Sequence, residues 1–312
     1  MMLPEIDRIS VTTVVDNSID ALRPDEKIAR RHSMERAAGI PQLRAEHGLA
    51  HHVEVTRGAD IARIAFDFGL TAETMNHNWG ALGLDARAID TVALSHGHVD
   101  HYGGLVGFLE SHRRTMKREL AFYGGADHFV HRWTERNGRR VDLGTLSRRT
   151  LEAYDLDVRI VAAPVVLAEG VMLSGEMTAP MPYETIPSSL QVEQDGRLAP
   201  DTFIGEQTLI ANVRGRGLVV VTSCSHRGIV GICRWATRVA GVARVHAVVG
   251  GFHLSGLGEE RITRVVDAFR ALELDYIVPQ HCTGLEALVA LSRHLGDKLV
   301  VSSVGSTFTF GG

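Results

Sequence analysis

The sequence predicts an α/β fold in which two sheets carry helices on their outer faces. Short β-branched runs alternate along the chain with segments of helical periodicity. The run 208–222 sets Gly215, Arg216 and Gly217 between two apolar segments, a tight-turn hairpin that puts antiparallel pairs beside any parallel ones. The strand-like runs are also too many for one comfortable open sheet.

In chain order, strands are predicted over 9–16, 61–67, 91–95, 120–123, 158–162, 171–174, 208–214, 218–222, 245–249, 276–279 and 298–302. The first helix is predicted over 71–82, where Ala72, Met75, Trp79 and Leu82 recur at helical spacing and Gly83 terminates the run. Further helices are predicted over 103–109, 146–154, 229–239, 260–272 and 285–295. The segment 180–203, rich in Pro, Ser, Gln and Asp and without periodicity, is expected to be a long surface loop of the length that covers active sites. There is no short-period repeat or low-complexity tract, so 1–312 reads as one domain.

The chain has 312 residues, 45% hydrophobic and 22% charged, an ordinary globular composition with ample length for a continuous core. Collagen-like, disordered and multi-span membrane classes are excluded. A net charge of -4 is the wrong sign for a chain held to a polyanion, so nucleic acid is not expected as a partner. The N-terminal segment carries Glu5 and Asp7 in place of a basic, apolar leader, and no apolar run approaches the ~20 residues of a membrane span. A cytoplasmic protein with reduced thiols and a small-molecule substrate is expected, its oligomeric state left open. Most of the basic residues Arg113, Arg114, Lys117, Arg118, Arg136, Arg139, Arg140, Arg148 and Arg149 read as solvated faces, with an anion clamp as the alternative. With 16 His against 3 Cys, any metal site must rest on imidazole.

The stretch Leu94-Ser95-His96-Gly97-His98-Val99-Asp100-His101-Tyr102-Gly103-Gly104 follows an apolar strand and packs three imidazoles and one carboxylate into six residues. Alternate residues His96 and His98 point to one side, while Asp100 and His101 reach a neighbouring position. Two divalent ions about 3.5 to 4 Å apart are a recurring hydrolytic arrangement. Such donors suit Zn2+, with Mn2+ or Fe2+ as alternatives. The same order of strand, histidine and glycine returns in Ser223-Cys224-Ser225-His226-Arg227-Gly228 and in Gln280-His281-Cys282-Thr283-Gly284, which nominates His226 and His281. His253, after Gly250 and Gly251, is nominated as a substrate contact or acid. Cys224 and Cys282 lack a nucleophile-elbow context and read as small buried thiols or groups behind the ligands.

These residues resemble the metallo-β-lactamase superfamily, whose signature His-x-His-x-Asp-His is met by His96, His98, Asp100 and His101. Ala65-Phe66-Asp67-Phe68-Gly69 looks like that superfamily's early strand ending in a supporting Asp, while Glu46-His47-Gly48-Leu49, Val249-Gly250-Gly251-Phe252-His253-Leu254, Ser223-Cys224-Ser225-His226 and Pro279-Gln280-His281-Cys282-Thr283-Gly284 look like one branch of it. That branch is the metal-dependent hydrolases related to the archaeal 7,8-dihydropterin-6-methyl-4-(β-D-ribofuranosyl)-aminobenzene-5'-phosphate synthase. The resemblance implies a four-layer αββα sandwich with two mixed sheets and outer helices, and a dinuclear site. In that site His96, His98 and His226 would hold one ion and Asp100, His101 and His281 the other, with Asp67 orienting a ligand. The chain departs from the commoner pattern at Glu176 and at Cys224, which become further ligand candidates. It implies a hydrolase in which a metal-activated hydroxide attacks an ester, lactone or phosphoester, with Asp100 and His253 as catalytic groups. The alternatives are a dihydropterin-diphosphate-dependent transferase and a non-catalytic metal-binding sensor. His47 is placed either at the mouth or in a structural role, and His51, His52 and His128 are expected to be structural.

Overall fold

A computed structural model describes residues 2–33, 39 and 41–312. Its layers follow from a two-residue alternation in strands that are buried on both faces. In Gly217–Val221, Val219 and Val221 enter a core shared with the opposite sheet, while Leu218 and Val220 enter a core shared with helices. Leu209–Val213 and Val245–Gly251 divide their side chains in the same way. Strands wetted on neither face read as continuous apolar runs.

The larger sheet runs in the order Ala29–Arg30, Thr307–Gly311, Arg8–Val15, Ala50–Arg57, Asp60–Phe66, Thr91–Ala93, Leu120–Gly124 and Leu156–Ile160. Its pairings are antiparallel up to Asp60–Phe66 and parallel beyond it. The second runs Val165–Ala168, Val171–Leu173, Leu209–Val213, Gly217–Val221, Val245–Gly251 and Tyr276–Gln280, turning parallel at its last two pairings. Helices Ala72–Ala81 and Leu105–His112 cover the outer face of the first, and Ile229–Ala240, Glu259–Ala271 and Leu285–Leu295 that of the second. This is the expected αββα arrangement of two mixed sheets with outer helices.

Two expectations are corrected, and two strands lay outside them. Segment 298–302 forms no ladder; Leu299 makes one isolated bridge to Ile277. Ala50–Arg57 is a full strand that its histidines disguise, because buried His51 bonds Gln280 Oε1 at 2.8 Å instead of facing water. Thr307–Gly311 is also a strand, with Phe308 and Phe310 turned into the core. The segment 180–203 is not a plain loop, since Leu190–Gln194 and Arg197–Pro200 form a hairpin. It joins Arg132–Arg136 and Arg139–Asp142 in a third, antiparallel sheet. The turn Gln194-Asp195-Gly196-Arg197 gave the signal, but the flanking strands carry too few apolar residues to read as strands. No helix among the described residues is long and apolar enough to cross a membrane.

The topology brings the carboxyl ends of Asp60–Phe66, Thr91–Ala93, Gly217–Val221, Val245–Gly251 and Tyr276–Gln280 to one edge of the sandwich, where each is followed within a few residues by Asp67, His96, Cys224, His253 or His281. Ligands gather at such ends in α/β proteins.

Candidate metal centre

Beyond Ala93 the chain bends at Ser95 and at Gly97 and then enters the short helix Val99–Tyr102, with His98 at its N-cap. This bent segment brings the rings of His96 and His98 together, and the helical turn after it brings Asp100 and His101 round to the next position. Only glycine fits between the two histidines: a Cβ on Gly97 would lie 2.2 Å from Arg132 Nη1 and 2.7 Å from the His128 carbonyl.

The rings of His96, His98 and His226 stand at 4.8 Å from one another, centroid to centroid, for every pair. Their ligand nitrogens lie within 4.8 Å of each other. Beside this triad, Asp100 Oδ2 is 3.2 Å from His281 Nε2 and 3.7 Å from His101 Nε2. The structure therefore brings both expected ligand sets together. Exposed His47 joins the second, with Nε2 3.5 Å from Asp100 and its ring 4.7 Å from that of His281, which puts it at the mouth. His253 packs its ring 4.2 Å from His226. Glu176 belongs to none of the ligand groups among the described residues.

Hydrogen bonds fix which nitrogen each ring turns inward. Buried Asp67 accepts from Ser95 N at 2.7 Å, Ser95 Oγ at 2.7 Å, His101 Nδ1 at 3.0 Å and the Ser223 hydroxyl. Because Ser95 spends its proton on Asp67, its oxygen accepts from His96 Nδ1 at 2.9 Å, leaving His96 Nε2 bare. His281 donates Nδ1–H to Asn17 Oδ1 at 3.0 Å, which turns Nε2 toward Asp100. An outer partner on the far nitrogen is the usual companion of a metal-binding imidazole.

The electrostatics of the two sets differ. Burial, reinforced by the neighbouring rings, pushes His96 and His226 well below the ordinary histidine range, and burial takes His98 down to about 3. These rings are neutral, and His96 Nε2 and both nitrogens of His226 are buried without a hydrogen-bond partner. Each such group costs about 1–3 kcal/mol unless something accepts its lone pair or proton. A cation among them satisfies that demand, so the residues present fit a metal ion. In the second set burial opposes charge, but His101 and His281 hold Asp100 far below the usual carboxylate range. Burial would likewise lower His101, yet Asp100 and Asp67 override it and push it up to about 9. That set keeps a proton where a cation would otherwise stand.

Backbone strain concentrates here. Asp67, Phe203, Ser225, His253 and His281 all have positive φ, between 46° and 62°. Each such non-glycine conformation costs on the order of 1–3 kcal/mol and persists where surrounding structure enforces it.

Sequence reading missed three supports. Phe203 stacks on His226 at 3.9 Å and 15°, with the Arg132 guanidinium 5.6 Å from the centre of its ring. Arg132 is itself anchored by Asp201 Oδ2 at 2.7 Å. Glu206, pushed up to about 7 by burial, accepts from the backbone N–H of His226 and of Arg227, both at 2.8 Å. None lies in a motif. Phe203 closes the segment singled out as an active-site loop, which was the one available signal.

The family model described as the metallo-beta-lactamase superfamily matches residues 64–222. The chain is 32% identical over 250 residues to the 7,8-dihydropterin-6-methyl-4-(beta-D-ribofuranosyl)-aminobenzene-5'-phosphate synthase of Methanocaldococcus jannaschii, an alignment covering 78% of this chain and 83% of that one. The crystal structure of a metal-dependent hydrolase of the beta-lactamase superfamily superposes with a TM-score of 0.75 at 24% identity, over 97% of this chain and 100% of that one. A metallo-beta-lactamase fold protein from Bacillus subtilis superposes with a TM-score of 0.53 at 11% identity, covering 97% and 99%. With its signature motif, its layers and these relatives in agreement, the chain belongs to the metallo-beta-lactamase superfamily.

Proposed function

We propose that the protein is a metal-dependent hydrolase of a small ester, lactone or phosphoester. In this reading His96, His98 and His226 hold one divalent ion and Asp100, His101 and His281 a second, with Zn2+ as the occupant these donors suit best. The observation that carries it is the group of buried, partnerless nitrogens on His96 and His226 beside rings whose outer nitrogens are already engaged. Ions of this kind supply a nucleophile near neutral pH and counter the negative charge that develops at a carbonyl or phosphorus.

The chain's own groups do the rest. Asp67 holds His101 in the tautomer that turns Nε2 inward. Asp100 presents a carboxylate at the opening, between His281 and the exposed His47. His47 is placed to touch a substrate as it enters, and His253 to touch it beside His226. The Phe203 ring and the third sheet behind it keep water from the triad. The net charge of -4 favours a small molecule over nucleic acid, and the cytoplasm is the proposed location.

The test is turnover of an ester, lactone and phosphodiester panel by chelator-stripped and ion-reloaded protein, with His98→Ala and Asp100→Ala alongside. Metal-dependent turnover lost in both variants is expected; wild-type rates in chelator-treated Asp100→Ala protein overturn the reading.

A second reading is favoured by the synthase relative: transfer of a dihydropterin from its diphosphate to an aromatic amine. Incubation with the pterin diphosphate separates the two. Free hydroxymethylpterin formed without amine supports hydrolysis, whereas an amine-dependent condensation product supports transfer.

A further inference from the structure

We propose that Cys224, Cys282 and His253 form a sulfur-containing metal subsite, adjoining the histidine centre and taking a thiophilic ion such as Zn2+. Three neighbouring parallel strands supply it. Cys224 follows Gly217–Val221, His253 follows Val245–Gly251, and Cys282 follows Tyr276–Gln280, with the histidine's strand in the middle. Sheet order alone brings the three side chains together, although they lie far apart in sequence.

The two sulfurs and a ring nitrogen of His253 lie within 4.8 Å of one another. A tetrahedral zinc with sulfur at about 2.3 Å and nitrogen at about 2.0–2.1 Å needs ligand separations of roughly 3.5–3.8 Å, so small side-chain rotations suffice. Both cysteines are free thiols. Cys282 Sγ lies a long 3.6 Å from the Cys224 carbonyl, and its other neighbours are the Cys224 thiol and the His253 ring. His253 Nδ1 is buried without a partner, on a residue held at a φ of 46°. Room for the second thiol is made at Gly251, where a Cβ would stand 2.7 Å from Cys282 Sγ and 2.3 Å from the Ser223 carbonyl. Cys224 Sγ also lies 3.2 Å from His101 Nε2, so this group is continuous with the centre already described.

Thiolate donors select soft ions over the hard cations that carboxylates prefer. On binding, each ligating thiol gives its proton to solvent, and no electron transfer is required. The subsite uses none of the six residues assigned to the two ions of the hydrolase reading, although it draws on His253, which that reading places beside the substrate.

The test reloads chelator-stripped protein with Co2+ alone under reducing conditions. We expect an intense sulfur-to-cobalt charge-transfer band, weakened in Cys282→Ser and absent in the Cys224→Ser/Cys282→Ser double variant, with bound cobalt lower by about one ion per chain. A His96→Ala/His98→Ala variant keeps the band while losing its histidine-bound ion, so failure of the histidine centre and failure of the sulfur subsite give different results. X-ray absorption on zinc-loaded wild-type protein, which needs no variant to fold, should show sulfur scatterers at about 2.3 Å. No charge-transfer band in saturated wild type, an undiminished band in the double cysteine variant, or a zinc shell without sulfur overturns the proposal.

Discussion

The two ligand sets of the centre are neighbours built on opposite electrostatic plans. The triad His96, His98 and His226 is buried and neutral, and the inward nitrogens of His96 and His226 lack partners. The set Asp100, His101 and His281 carries a carboxylate, opens past His47 to solvent, and holds His101 near 9 in the absence of an ion. One set therefore gains a cation without losing a proton, while the other must exchange a proton for one. Ion binding should be nearly independent of pH at the first wherever its lowered rings stay neutral, and should strengthen as the pH rises through about 9 at the second.

The largest expected effect breaks the first set. His226→Ala removes one corner of the triad and should weaken its ion by more than about 100-fold, beyond the usual cost of losing an outer partner; titration of the stripped protein with Zn2+ reads it. Next, Asp67→Asn disturbs His101 directly and His96 through Ser95, and should cost about 10–100-fold in ion affinity at both sets. A loss confined to one set would show that Asp67 serves only one of them. Phe203→Ala removes the ring stacked on His226, and a fall of about 3–5 kcal/mol in denaturant stability is expected.

The pH behaviour of the ion-free protein sharpens the contrast. His101 is raised from 6.5 to about 9, so its contribution to stability is complete below pH 6.5 and is lost as the pH rises through 9. His98 is lowered from 6.5 to about 3, so its contribution is present above pH 6.5 and is lost as the pH falls toward 3. Melting temperature against pH should decline on both sides, and ion loading should remove the alkaline decline. Glu206 acts in a lower window. Its folded value near 7 against 4.5 means that stability falls as the pH rises between those values, where the group is ionised in the unfolded chain but still protonated in the fold, and Glu206→Gln should flatten that portion of the curve.

How much of this was legible follows from how each residue is held. His96, His98, Asp100 and His101 are read from one turn, because a strand running into a short helix fixes their directions locally. His226 and His281 were found because each follows an apolar strand with a glycine nearby, and Asp67 through the family resemblance of its strand; the sheet order then gathers these strand ends at one edge. Phe203, Arg132 and Glu206 escaped because they act through a third sheet and a buried carboxylate whose partners are distant in sequence. The pairing of Cys224 with Cys282 and His253 escaped for a related reason: each sits beside a histidine in sequence, but only strand adjacency places them together. The strand Ala50–Arg57 was hidden by His51, a polar residue placed in the core by its bond to Gln280.

Anomalous diffraction at the zinc edge from crystals of zinc-loaded protein tests the central claim most directly. The account expects one peak among the inward nitrogens of His96, His98 and His226, and another beside Asp100, His101 and His281. An empty triad in fully loaded crystals would contradict it.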